Sequence, residues 1–229
     1  MKEAVKEIPI KSVVLGRELS LHELDECSGL GLNVYHLNQS SDFLKILKGI
    51  KSKNKILAIH AGEAKGEIEP ALKYNPKIII HATKATEDEI KEISSRNISV
   101  VCCPRSNLAL DVGIPQIQKM SDSKINVCLG TDNVMVTLPD MWREMEFTSK
   151  VCHIEPDEIL KMATINAASE FNLNSGIIKK DKNADLIFID KDSLNLKFNK
   201  DWISAVVNRC SPENVRKVMI EGNFVVDKI

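Results

Sequence analysis

Six short apolar runs, separated by polar or amphipathic stretches, constrain this chain more than any other feature. They are "KSVVLG" (11–16), "LNVYHL" (32–37), "KILAIH" (55–60), "PKIIIHA" (76–82), "ISVVCC" (98–103) and "INVCLG" (125–130). Runs that are continuously apolar, and rich in Val and Ile, suit strands buried on both faces, and such strands pair in parallel. Parallel pairing needs crossovers, and the spacers predict helices. "SLHELDEC" (20–27) predicts a short helix with Ser20 as N-cap and Glu23 closing a capping box. Ser41 or Asp42 opens a helix whose Phe43, Ile46, Leu47 and Ile50 follow the 3.6-residue period. Thr86 and Glu89 form a second capping box ahead of Ile90 and Ile93, and Pro156 suits the first turn of a helix through Ile159, Leu160 and Ala163. A doubly wound sheet and a (β/α) barrel both meet this pattern. After about Asn174 the pattern shortens to "GIIKK", "DLIFID", "RKVMIEG" and "NFVVD", with Gly222-Asn223 as a hairpin signal. The tail predicts a small, mostly antiparallel β-unit, and the expected division is 1–174 and 175–229.

Composition narrows the function classes. The formal net charge is −1, which gives no electrostatic case for a nucleic-acid partner. No run reaches the roughly 18 apolar residues that span a membrane. The N-terminal "MKEAVKEIP" has mixed charge and no apolar core, so it is not read as a secretory signal, and a cytoplasmic location is expected. The six cysteines, Cys27, Cys102, Cys103, Cys128, Cys152 and Cys210, form no Cys-x-x-Cys pair and read as reduced, buried thiols.

The strand ends carry the chemistry. "ILAIH" ends on His60, "IIIH" on His81, "VCLGTD" on Asp132, and "VVCCPRSN" ends near Ser106 and Asn107. In parallel barrels the active site lies at the C-terminal ends of the strands, so the sheet's order would converge these side chains on one mouth. Gly62 would let the backbone turn so that Glu63 points inward. A lone strand-end histidine is more often a hydrogen-bonded structural residue, and Asp in "GTDN" could be a turn residue. Three coincident strand ends weaken those readings together. His22, on a short helix, and His153, in a polar segment, lack this support, and His36 has only its place at a strand end. Imidazole and carboxylate are zinc ligands, and a catalytic zinc keeps a position for water. The metal brings that water's pKa from 15.7 to about 7. A neighbouring carboxylate can then carry a proton to a leaving nitrogen. The pattern therefore points to metal-assisted hydrolysis of a small molecule.

"HAGE", "IIHA", "PRSNLAL", "LGTDN" and the late "NADLIFID" together resemble the amidohydrolase superfamily, in its cytosine-deaminase-like branch, which also holds chlorohydrolases. Order and approximate spacing both agree from about residue 11 onward. The resemblance implies an α/β fold, a (β/α)8-type TIM barrel that is here incomplete, with about six strands from barrel strand three onward and a small β-domain. It implies hydrolysis of carbon–nitrogen bonds other than peptide bonds, in particular deamination of a nucleoside, purine or pyrimidine-like ring. It implies His60 as a metal ligand and Glu63 as the proton-shuttling carboxylate. His81 would polarise the substrate or touch the metal. Asp132 would be a ligand that also orients the water, and Ser106 and Asn107 would shape the substrate pocket. The metal expected is zinc, with iron as the alternative.

The family's His-x-His pair, at the end of barrel strand one, has no counterpart in these 229 residues. "KSVVLG" resembles barrel strand three. The expectation is a truncated chain with an open seam, two unpaired strand edges, loosely held metal and little or no activity alone. The alternatives are half of a split hydrolase, completed by another chain at the seam, or a degenerate barrel serving as a binding or assembly module. A homo-oligomer at the seam is a further possibility of the same kind.

Overall fold

The computed structural model describes residues 10–17, 21–37 and 41–228. They divide into two compact units. The first holds the described residues up to Cys102 together with Asp111–Val127, and the second holds Cys103–Leu110 and the residues from Cys128 onward.

The first unit is a parallel sheet with its helices. Its strands are β1 (Leu15–Gly16), β2 (Gly29–Asn33), β3 (Ile56–Ala61), β4 (Ile78–His81) and β5 (Ser99–Cys102). Each pairs in parallel with the next in sequence. This order decides between the two architectures. A doubly wound sheet reverses direction at a switch point, whereas a (β/α) barrel adds each strand to the same side. Here no reversal occurs from β1 to β5. Successive residues Ala58 and Ile59, and Ile78 and Ile79, are all essentially inaccessible to solvent, as strands covered on both faces require. The helix Ser41–Ser52 buries Phe43, Ile46 and Ile50 along one stripe. The helix Glu87–Ser95 opens on the expected capping box. Thr86 Oγ1 accepts from the Glu89 amide at 3.3 Å, and the Glu89 carboxylate accepts from the Thr86 amide at 2.7 Å.

Two strands differ from the sequence reading. The first is confined to Leu15–Gly16. The second runs over Gly29–Asn33, and Val34–His36 is a 3-10 turn in place of the expected strand at 32–37. The cause is Asn33, whose side chain accepts from the Tyr35 amide at 3.0 Å and bends the chain as Asn commonly does. The expected caps at Ser20 and at Ser41 or Asp42, and the Glu23 side chain, lie outside what is described.

The second unit holds the helices Pro104–Ala109, Met141–Val151, Pro156–Met162, Ile165–Glu170 and Trp202–Arg209. Its sheet is three-stranded and antiparallel, with β7 (Leu186–Ile189), β8 (Val215–Ile220) and β9 (Asn223–Asp227) in that order. β6 (Val127–Leu129), the sixth strand of the barrel pattern, leads into this unit and is buried throughout. The β8–β9 turn consists of Glu221 and Gly222, at φ 50° and 85°. Positive φ at both central residues is the two-residue hairpin geometry, placed one residue earlier than Gly222-Asn223. "GIIKK" forms no strand. The helix Trp202–Arg209, capped by Asp201 on the Ile203 and Ser204 amides, lies between β7 and β8. No helix of the described residues is long and apolar enough to cross a membrane.

Gly29 sets how closely β2 approaches β3. A Cβ there would lie 2.1 Å from the Ile56 carbonyl oxygen. Gly29→Ala is therefore expected to cost about 2–3 kcal/mol, the range for overpacking against atoms that cannot yield. Urea unfolding should show a lower midpoint with an unchanged slope. An unshifted midpoint would refute the tight β2–β3 contact.

Candidate active site

β3 carries an apolar run, Ile56 to Ile59, that leaves His60 and Ala61 at its C-terminal end. β4 ends on His81, which pairs with Ala61 and is 2% exposed. The backbone leaves the sheet abruptly there. His81 and Ala82 have φ of 81° and 49°, two consecutive left-handed residues that are not glycine. Such conformations cost free energy and persist only where the surroundings impose them. The turn brings His81 Nε2 to 3.2 Å from His60 Nδ1, one nitrogen donating and the other accepting. Glu63 Oε2 lies 3.6 Å from the same His81 nitrogen. Gly62 makes the second turn, with φ 87° and its Cβ position 2.7 Å from Ala82 Cα. Only glycine satisfies both conditions without strain.

Glu67, four residues past Glu63, was not singled out in the sequence. Its Oε2 accepts from the amides of Gly62, Glu63 and Ala64 at 2.8, 2.9 and 3.1 Å, and its Oε1 accepts from the Tyr35 hydroxyl. Burial pushes the Glu67 pKa up, but these hydrogen bonds outweigh it and hold the carboxyl below its ordinary value. In "GEAKGE" the residue looks like a solvated loop carboxylate, and only its burial reveals its role.

The second unit holds the other expected residues. Pro104 starts the helix Pro104–Ala109, on which Ser106 and Asn107 are both 1% exposed. Ser106 Oγ donates to Asp132 Oδ2, and Asp132 follows β6 at φ 59°. Glu144, fully buried on the helix Met141–Val151, accepts from the Arg105 amide at 2.9 Å, and the Arg105 guanidinium is 3.6 Å from its other oxygen. Burial raises the Glu144 pKa to about 7 against the lowering effect of Arg105, and Asp132 adds to the rise. Its Oε2 has no hydrogen-bond partner, which suits a protonated carboxyl. Its place among Met145 and Thr148 on one helix face was a legible signal of a buried acid. The expected residues thus form two groups, His60 with His81 and Glu63, and Asp132 with Ser106, one in each unit. His22, His36 and His153 are exposed. Burial pushes Cys128 up to about 12 and Cys152 to about 11, so both stay protonated thiols at neutral pH.

Among the described residues no three His, Cys, Asp or Glu side chains cluster to hold a metal ion. The donor chemistry of the first group nonetheless fits part of a set. Imidazole nitrogens and a carboxylate, donor types that zinc takes, stand together there at His60, His81 and Glu63.

The model of the amidohydrolase family matches residues 35–225. An uncharacterized protein of Methanocaldococcus jannaschii is 35% identical over 231 residues, covering 90% of this chain and 60% of that protein. A 5-methylthioadenosine/S-adenosylhomocysteine deaminase of Pyrococcus furiosus is 34% identical over 213 residues, covering 80% of this chain and 51% of that protein. The chain thus spans between half and two thirds of the length of these relatives. The crystal structure of an adenosine deaminase from Xanthomonas campestris, with bound zinc, matches with a TM-score of 0.79 at 22% identity, covering 87% of this chain and 52% of that one. That likeness shows the fold, an incomplete (β/α)8-type barrel with a small antiparallel sheet.

Glu144 makes stability depend on pH. Its folded pKa, about 7, lies above the 4.5 of an exposed carboxyl. Between those values the unfolded chain has released the proton and the folded chain has not, so stability falls as pH rises and is level above about 7. Glu144→Gln, which keeps an acceptor for Arg105, should remove this term. Wild type is expected to lose about 2–3 kcal/mol more than the variant between pH 5 and 8. Parallel stability curves for the two proteins across that range would refute the assignment.

Proposed function

The chain belongs to the amidohydrolase family, and from that premise we propose that it carries the catalytic half of a metal-dependent hydrolase that deaminates a nucleoside or purine-like ring. The observation that carries the reading is the grouping of His60, His81 and Glu63 at the ends of β3 and β4. The deaminase name of the Pyrococcus furiosus relative supports the substrate class. His60 and Asp132 would hold the metal, with zinc expected and iron the alternative. The bound metal supplies a water acidified toward neutral pH. Glu63 takes the proton of the attacking water and delivers it to the departing amine, as a positioned carboxylate can. The exocyclic C–N bond at the reacting ring carbon would break, a C–O bond would form at the same carbon and ammonia would leave. His81, beside Glu63, faces the oxygen or nitrogen at the reacting carbon. Ser106 donates to Asp132 and fixes the direction of its free lone pairs, and Asn107 helps to shape the wall of the substrate site. The substrate is a small molecule held at the strand ends.

The alternative is a barrel that binds ligand without turnover. The two readings separate on one experiment. A protein of these 229 residues is dialysed against a weak chelator, assayed for zinc, and offered adenosine, 5′-methylthioadenosine and S-adenosylhomocysteine under added zinc. The expectation is substoichiometric zinc and weak turnover, raised by co-expressing a His-x-His-bearing segment of a related barrel. Glu63→Gln should abolish that turnover and leave zinc content unchanged, since it removes the proton carrier and no ligand. Turnover that survives Glu63→Gln would refute the assignment, and none with any purine nucleoside in either form would favour the binding module.

A further inference from the structure

We propose that Glu67 is a positioning residue of this site, acting on Glu63 through the backbone of residues 62–64. The inference rests on the hydrolase reading for what Glu63 does, and on geometry for the rest. Three consecutive amides, those of Gly62, Glu63 and Ala64, point at a single carboxylate oxygen at 2.8, 2.9 and 3.1 Å. Successive N–H groups aimed at one point form an anion cradle. Here the chain fills the cradle with its own side chain. Glu63 is the middle residue of the three, so fixing its amide and those on either side fixes the direction in which its side chain leaves the backbone. That direction ends with Glu63 Oε2 at 3.6 Å from His81 Nε2.

The turn is anchored from both neighbouring strands. Tyr35, from the 3-10 turn after β2, donates its hydroxyl to Glu67 Oε1. On the other side the Gly62 carbonyl accepts from the Lys84 amide, beyond β4, at 2.8 Å. A simpler role, stabilising the helix that Glu67 precedes, does not fit. Glu67 is the N-cap of Ile68–Leu72, yet its side chain makes no capping hydrogen bond to that helix. The hydrogen bonds of its carboxylate run back to residues 62–64 and across to Tyr35.

The test combines amide hydrogen exchange, read residue by residue on the zinc-supplemented protein, with steady-state turnover of adenosine. The variants are Glu67→Ala, Glu67→Gln and Tyr35→Phe. Charge-assisted hydrogen bonds of this kind should slow exchange at Gly62, Glu63 and Ala64 about 10- to 100-fold. That protection should vanish in Glu67→Ala and shrink in Glu67→Gln and Tyr35→Phe, while Ala58 and Ile59 in β3 keep wild-type rates. If Glu67→Ala does not fold, the other two variants carry the comparison. In turnover, kcat should fall at least about tenfold with KM within about twofold, because Glu67 acts through Glu63 without touching substrate. Unchanged exchange at 62–64, equal acceleration at Ala58 and Ile59, or a raised KM with kcat intact would each overturn the proposal. If wild type turns over no purine nucleoside, alone or co-expressed with the His-x-His-bearing segment, the hydrolase reading fails on that result, and the exchange pattern still decides whether Glu67 sets the turn.

Discussion

Parallel pairing of β3 with β4, in the register that sets Ala61 opposite His81, is the contact on which the rest of the first unit depends. Side chains alternate faces along a strand, so a slip of one residue would turn His60, which now lies opposite Ile80, to the other face of the sheet and move it away from the turn that presents His81. Burial resists that slip. Ala58, Ile59, Ala61, Ile78 and Ile79 are all within 1% of full burial, and shifting either strand would exchange large for small side chains on both faces at once. The close approach at Gly29 sets β2 on the other flank of β3, and with it the turn that presents Tyr35. Ordinary packing therefore holds the two imidazoles 3.2 Å apart, with no direct bond required to assemble them.

Three carboxylates in this chain show how environment divides labour among identical groups. Glu67 is buried but receives four donors, and it stays ionised. Glu144 is buried with one amide donor and a guanidinium at a distance, and it holds its proton to about neutral pH. Glu63 keeps about a third of its side-chain surface in water, beside His81. A structural anion is best fully satisfied, and a proton carrier is best left partly solvated and near its partner. The site thus separates the carboxylate that holds the turn from the one that faces His81.

Much of this was legible in the sequence because it rests on local rules. The apolar runs at 55–60, 76–82 and 98–103 became β3, β4 and β5, and the Thr86 capping box formed as read. The histidines at two of those strand ends met. What escaped depends on contacts distant in sequence. The displaced β2 follows from one side-chain hydrogen bond of Asn33, which competes with strand extension and leaves no mark on the apolar pattern. The helix Trp202–Arg209 sits in a tail whose short apolar runs suggested strands alone, although Asp201 is a standard N-cap. The hydrogen bond that Glu67 receives from Tyr35 spans 32 residues, and no periodicity links the two. The barrel architecture itself needed strand order, which composition and spacing leave open.

The left-handed pair His81–Ala82 sets a direction for mutational drift at this site. Either position would be easier to hold as glycine, which reaches positive φ at no steric cost. A chain selected for thermostability alone would therefore tend to replace His81, trading the imidazole for a relaxed backbone. β-branched residues and proline are barred from both positions by the same geometry. The histidine here occupies a place that conformational energy would give to another residue, and laboratory evolution toward higher melting temperature should find this turn among its earliest targets.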